Sequence, residues 1–191
     1  MLRVLVIDES RARAGEICAG LALAGCQVAA ILPDSASLAH EVEKLQPDLI
    51  LIETESPSRD TLEHLAVVDE HMPRPVILFT QDDAGETIRE AMRAGVSSYV
   101  VDGLDPKRIK PLIEVARARF EAHQALRQEL AESNRKLSDR KLIDRAKGVL
   151  MKARELDEDG AYHALRKLAM ERGKPMAEVA RDVLDMAKLF S

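Results

Sequence analysis

Leu2-Arg3-Val4-Leu5-Val6-Ile7-Asp8-Glu9 decides the fold: an aliphatic run broken by one arginine and closed by two acids. Short apolar runs with polar ends read as strands buried on both faces. The pattern recurs at 28–32, at 49–52 (closed by Glu53), at 76–79 (closed by Thr80) and at 99–101 (closed by Asp102). Helical patterns fill the intervals, over about 10–24, 35–45, 58–71, 84–94 and from 106 onward. Strands and helices in strict alternation predict an α/β domain over residues 1–120, with a doubly wound, five-stranded parallel sheet. Function in such sheets sits beyond the carboxyl ends of the strands. That rule selects Asp8, Glu9, Glu53, Thr80 and Asp102.

The strand signal stops at residue 106. From Leu112 to about Arg154 only Gly148 weakens a helix, so one long helix is predicted to leave the α/β domain. Its 112–136 portion reads as a linker. Leu126, Leu130 and Leu137 form a partial coiled-coil seam there, through which a homodimer can assemble. Asp157 as N-cap and Gly173 as stop frame a helix over 158–172, and Pro175 opens a last one to about 189. Residues 137–191 are therefore expected to form a three-helix unit.

Charge separates the two parts. Residues 1–134 hold 14 Lys+Arg against 23 Asp+Glu, a net −9; residues 135–191 hold 14 against 10, a net +4. The sign change points to a polyanionic partner for the second part. On a helical wheel Leu142, Ala146, Val149 and Ala153 share a core face, with Ile143 and Leu150 beside it. Lys141, Arg145, Gly148 and Lys152 lie along one edge of the outer surface; Arg140, Lys147 and Arg154 lie along the other. Arg166 and Lys167 add cations from the next helix. Gly148 leaves one stripe with bare backbone, where a ligand can approach closely, and the cations suit phosphate.

Several classes fall away. Two cysteines in 191 residues cannot build a disulfide framework or a four-ligand zinc site. The N-terminus has no signal-peptide pattern, and no apolar run approaches the roughly 20 residues of a membrane span, so a cytoplasmic protein without membrane contact is expected. No Gly-rich phosphate loop occurs and the histidines are scattered, so no enzyme is expected.

The acids Asp8, Glu9 and Glu53, the hydroxyl of Thr80 and the aromatic Tyr99 together resemble the receiver domain of bacterial response regulators. The resemblance implies acids that hold Mg²⁺, a third-strand aspartate that accepts a phosphoryl group and a fifth-strand lysine that binds it. Here those last two positions carry Glu53 and Asp102. The domain is therefore read as a degenerate receiver that phosphorylation does not control. Weak Mg²⁺ binding at Asp8, Glu9 and Glu53 is the one cofactor interaction left open.

Further on, Leu137-Ser138-Asp139-Arg140, Ile143-Asp144-Arg145-Ala146-Lys147-Gly148-Val149-Leu150-Met151, Ala161-Tyr162, Leu165-Arg166, Ala169-Met170 and Val179-Ala180 resemble the ANTAR domain, the RNA-binding module of transcription antiterminators. The resemblance implies RNA contacts at Arg140, Lys141, Arg145, Ala146, Lys147, Gly148, Lys152, Arg166 and Lys167. A degenerate receiver, a linking helix and an ANTAR unit together resemble the AmiR/NasT family. Residues 54–60, 74–80 and 95–99 are similar to its nitrate-responsive, NasT-like branch. That implies binding of paired leader-mRNA hairpins upstream of a nitrate or nitrite assimilation operon, under control of a NasS-like sensor protein. With 3% aromatic residues, backbone contacts from Arg and Lys are expected to outweigh stacking, and Tyr162 is placed in the core. The alternatives are a DNA-binding or an adaptor-type response regulator. The last helix, with Glu178, Asp182 and Asp185 against Arg181 and Lys188, is too acidic to suit duplex DNA.

Overall fold

A computed structural model describes residues 1–9, 13–101 and 105–189. They form two compact units, residues 1–124 and 125–191. The first contains β1 (Leu2–Asp8), α1 (Ala14–Leu23), β2 (Cys26–Leu32), α2 (Leu38–Leu45), β3 (Leu49–Glu53), α3 (Arg59–His71), β4 (Val76–Thr80), α4 (Gly85–Arg93) and β5 (Ser98–Val101). The five strands pair in parallel in the order β2-β1-β3-β4-β5. Helix α5 (Ile109–Arg154) contributes residues to both units, and α6 (Glu158–Arg172) and α7 (Met176–Leu189) complete the second.

The unbroken apolar runs are explained by two cores on opposite sheet faces. Val4, Val6, Leu49, Leu51, Ile77 and Phe79 pack with Ile17 and Leu21 of α1 and with Ile109, Ile113 and Ala116 of α5. Their strand neighbours Leu5, Ile7, Ile50, Ile52 and Leu78 pack with Leu38, Val42, Leu65, Val68 and Ala91 from α2, α3 and α4. Alternate residues point to opposite faces, so a strand covered on both sides cannot alternate in polarity.

Most element boundaries agree with the pattern to within two residues; α1 starts at Ala14 rather than about 10, and α2 at Leu38 rather than about 35. Pro111 sits inside the first turn of α5, where its missing N–H has no partner to lose. The second unit has its own core of Ala146, Leu165, Ala169, Val179, Ala180 and Leu184. Asp157 caps α6 by accepting from the Gly160 amide at 2.8 Å, and Gly173 ends it at φ 61°. Leu126, Leu130 and Leu137 stay exposed.

Candidate functional site

Parallel pairing puts Asp8 opposite Glu53 at the carboxyl ends of β1 and β3, and both are buried. Glu9 does not join them. Its Oε1 instead accepts a 3.0 Å hydrogen bond from the Thr61 hydroxyl on α3. Among the described residues no three acids, histidines or cysteines gather as a metal-holding group. A cation is already present at Glu53: the Arg13 guanidinium donates to Oε1 at 3.0 Å, while Oε2 is buried without a hydrogen-bond partner. Burial pushes the Glu53 carboxyl above its ordinary range, and Asp8 adds to the effect while Arg13 opposes it. Sequence reading missed Arg13, because a pair spanning 40 residues leaves no local signature.

Thr80 and Tyr99 are committed elsewhere. The Thr80 hydroxyl donates to the Glu55 carbonyl at 2.7 Å and accepts from the Asp82 amide at 3.1 Å. The Tyr99 hydroxyl donates to the Asp82 carbonyl at 2.8 Å. Ser56 donates to the Asp82 carboxylate at 2.6 Å, tying the β3–α3 and β4–α4 loops together. Thr80 and Tyr99 thus hold loop backbone and do not bond to Glu53. Asp102 lies outside the described residues.

The second unit arranges its cations on α5 unevenly. Arg140, Lys141, Arg145 and Lys152 are exposed, and none forms an ion pair among the described residues. Arg166 and Lys167 are exposed on α6; Lys167 lies 3.9 Å from Glu171. Lys147 is held differently from these cations. Its side chain is only 14% exposed, and Nζ meets Glu158 at 2.7 Å and Asp144 at 2.9 Å. These bonds raise its pKa, Glu158 first, so it stays charged, and they occupy two of its three N–H donors. Lys147 joins α5 to the first turn of α6.

Ala146 is fully buried in the core of this unit, on the face the helical wheel gives it. Ala153 is exposed rather than in the core, because the packed face of α5 ends at Leu150. Tyr162 is a correction: expected in the core, it is 40% exposed, since on α6 the buried positions are Ala161, Leu165 and Ala169.

Gly148 stands in open space. A Cβ built there meets nothing within 4 Å, so helix packing does not require the glycine. Gly costs a helix interior about 1 kcal/mol relative to Ala. Gly148→Ala is therefore expected to stabilise the unit by about that amount in thermal unfolding. If the bare backbone is a ligand surface, the same variant binds RNA several-fold more weakly. Unchanged binding would remove Gly148 from the interface.

Known proteins place these two units. The chain belongs to the response regulator receiver domain family, which matches residues 4–114. Its second unit is matched by the ANTAR domain over residues 131–184, and the pairing is that of the AmiR/NasT antiterminators. A transcriptional regulatory protein, PdtaR, of Mycobacterium tuberculosis is 27% identical over 183 residues, covering 96% of this chain and 89% of that protein. A nitrate regulatory protein of Klebsiella oxytoca is 38% identical over 81 residues, covering 42% of this chain and 20% of that one. Among solved structures, the signal receiver domain of a modulated diguanylate cyclase from Desulfovibrio desulfuricans G20 superposes with TM-score 0.56 at 20% identity, covering 64% of this chain and 98% of that one. The receiver domain of the response regulator NarL from Mycobacterium tuberculosis gives 0.54 at 21%, covering 61% and 96%. An RNA-binding antiterminator response regulator is the class these matches support. They are matches to regulatory domains, and no helix among the described residues is long and apolar enough to cross a membrane.

Proposed function

We propose that this chain is an antiterminator that binds paired hairpins in the leader of a nitrate or nitrite assimilation transcript. The observation that carries the reading is an ANTAR unit whose outer α5 surface holds the unpaired cations Lys141, Arg145 and Lys152 beside the open backbone of Gly148. Phosphates held by those cations let the helix approach RNA closely, and paired hairpins reward a paired protein. The exposed Leu126, Leu130 and Leu137 seam supports a homodimer. The nitrate connection rests on similarity to the Klebsiella protein and on the NasT-like stretches of the receiver unit. A NasS-like sensor protein is the proposed input, and phosphorylation is not: Glu53 replaces the acceptor aspartate and is already paired with Arg13.

The direct test is a salt-titrated binding assay comparing a two-hairpin leader RNA of a nitrate-assimilation operon with duplex DNA of the same sequence. Tight, salt-sensitive binding to the RNA and weak binding to the DNA is the expected result. Equal affinity for both would favour a DNA-binding or adaptor role.

A further inference from the structure

Two buried acids stand in register at the carboxyl edge of the sheet, and the chain brings its own cation to one of them. Asp8 is 1% exposed and Glu53 is 5% exposed. Buried carboxylates require a counter-charge or a proton. Arg13 supplies the charge from the head of α1. Its carbonyl accepts from the Ile17 amide at 3.0 Å, and Ile17 is fully buried in the core. Packing of α1 therefore fixes the Arg13 backbone, and from there the guanidinium reaches Glu53 Oε1 at 3.0 Å.

The third acid is withheld. Glu9 is a backbone neighbour of Glu53, since its amide donates to the Glu53 carbonyl at 3.1 Å. Its side chain turns instead to α3, where the Thr61 hydroxyl donates to Oε1 at 3.0 Å. Thr61 is buried, its amide donates to Ser58 Oγ at 3.1 Å, and its oxygen accepts from the Ser35 hydroxyl at 3.4 Å. A carboxylate only accepts, so the direction of this chain is set: Ser35 donates to Thr61, and Thr61 donates to Glu9.

A divalent ion would need hard oxygen ligands in near-octahedral order. The residues present do not fit one. Glu9 is committed to Thr61, and an ion ligated by Glu53 would meet the like charge of the guanidinium. We infer that Arg13 is the resident cation of this acidic pocket, in place of a divalent ion, and that Thr61 secures the arrangement by withholding Glu9. Thr61 is a positioning residue, acting through Glu9. The pocket is thereby held in one charge state whatever the metal concentration. The inference concerns the receiver unit alone, so its failure would leave RNA binding by the second unit untouched.

The probe is Mn²⁺, which shares the oxygen-ligand preference of Mg²⁺ and whose free concentration is read by electron paramagnetic resonance. The full-length chain is titrated as wild type and as variants, each checked for its fold by circular dichroism. Wild type is expected to bind weakly. Arg13→Met keeps the length of the side chain and removes its charge. It is expected to bind about 10- to 100-fold more tightly, because the metal no longer has to displace a charge-assisted hydrogen bond. Arg13→Lys keeps the cation and should stay close to wild type. Adding Glu53→Gln to Arg13→Met should abolish the gain, whereas adding Thr61→Val should free Glu9 and tighten binding further. Tight, stoichiometric Mn²⁺ binding by the wild type overturns the inference without recourse to any variant. Arg13→Met binding no more tightly than wild type overturns it too. A gain that survives Glu53→Gln does the same, because the metal then binds elsewhere. Thr61→Val without effect in the Arg13→Met background removes Thr61 from the device.

Discussion

Lys141→Ala/Arg145→Ala is expected to weaken leader-RNA binding roughly a hundredfold at low salt, because each lost charge-assisted contact removes about 1.5–3 kcal/mol before partial compensation. Both side chains are exposed on the face of α5 that includes Gly148, and neither is paired with a carboxylate among the described residues. Each phosphate contact releases condensed counterions, so the salt slope should fall by about 0.7–0.9 per residue removed. The difference between wild type and variant should therefore close as salt rises and the Debye length shrinks. Lys147→Ala should behave differently. Its charge already serves Asp144 and Glu158, so its removal leaves two carboxylates uncompensated beside the RNA surface. Affinity falls through repulsion, and α6 loses a tie to α5. A double variant with wild-type affinity and slope would move the RNA surface away from this helix face.

The contrast between Lys141 and Lys147 shows where sequence reading stops. The wheel places both on the outer surface of one helix, and helical phase alone cannot distinguish them. What separates them is Glu158, which sits in the next helix and reaches Lys147 only after the chain reverses. The same reason hid Arg13. Its pairing with Glu53 depends on where the fold sets the start of α1 relative to β3, and no spacing rule encodes that. By contrast, the strands were legible because burial on both faces removes every polar position. The caps of α6 were legible because Asp157 and Gly173 act within a few residues of themselves. Tyr162 lies on the surface rather than in the core. The helix phase around Ala161, Leu165 and Ala169 could have shown this, since Tyr162 falls one residue past a buried position and about 100° around the helix.

Arg13→Ala is expected to destabilise the receiver unit at neutral pH by about 1–3 kcal/mol. Removing one partner of a fully buried ion pair costs about 3–5 kcal/mol. Arg13 is 37% exposed here, so solvent screens part of that loss. The pH dependence follows from Glu53. Its folded-state pKa is raised by burial first, with Asp8 in support and Arg13 opposing. The native state therefore binds the Glu53 proton more tightly than the unfolded chain does. Stability falls as pH rises from the ordinary glutamate range through the raised value, and is recovered on acidification. Without Arg13 the opposing influence is gone, so the variant's folded pKa climbs and its decline extends to higher pH. Glu53→Gln should remove this component of the pH dependence and rescue Arg13→Ala. Melting temperatures between about pH 4 and pH 8 for the two single variants and the double variant check the argument. A loss in Arg13→Ala that is the same at every pH, or one that Glu53→Gln does not rescue, would mean the guanidinium acts by packing and not by holding a charged carboxylate. The same pair predicts the response to a phosphodonor. Glu53 already has a cation on one oxygen and its side chain is 7% exposed, so incubation with acetyl phosphate and Mg²⁺ should leave it unlabelled. Stoichiometric label on Glu53 would restore phosphorylation as the input.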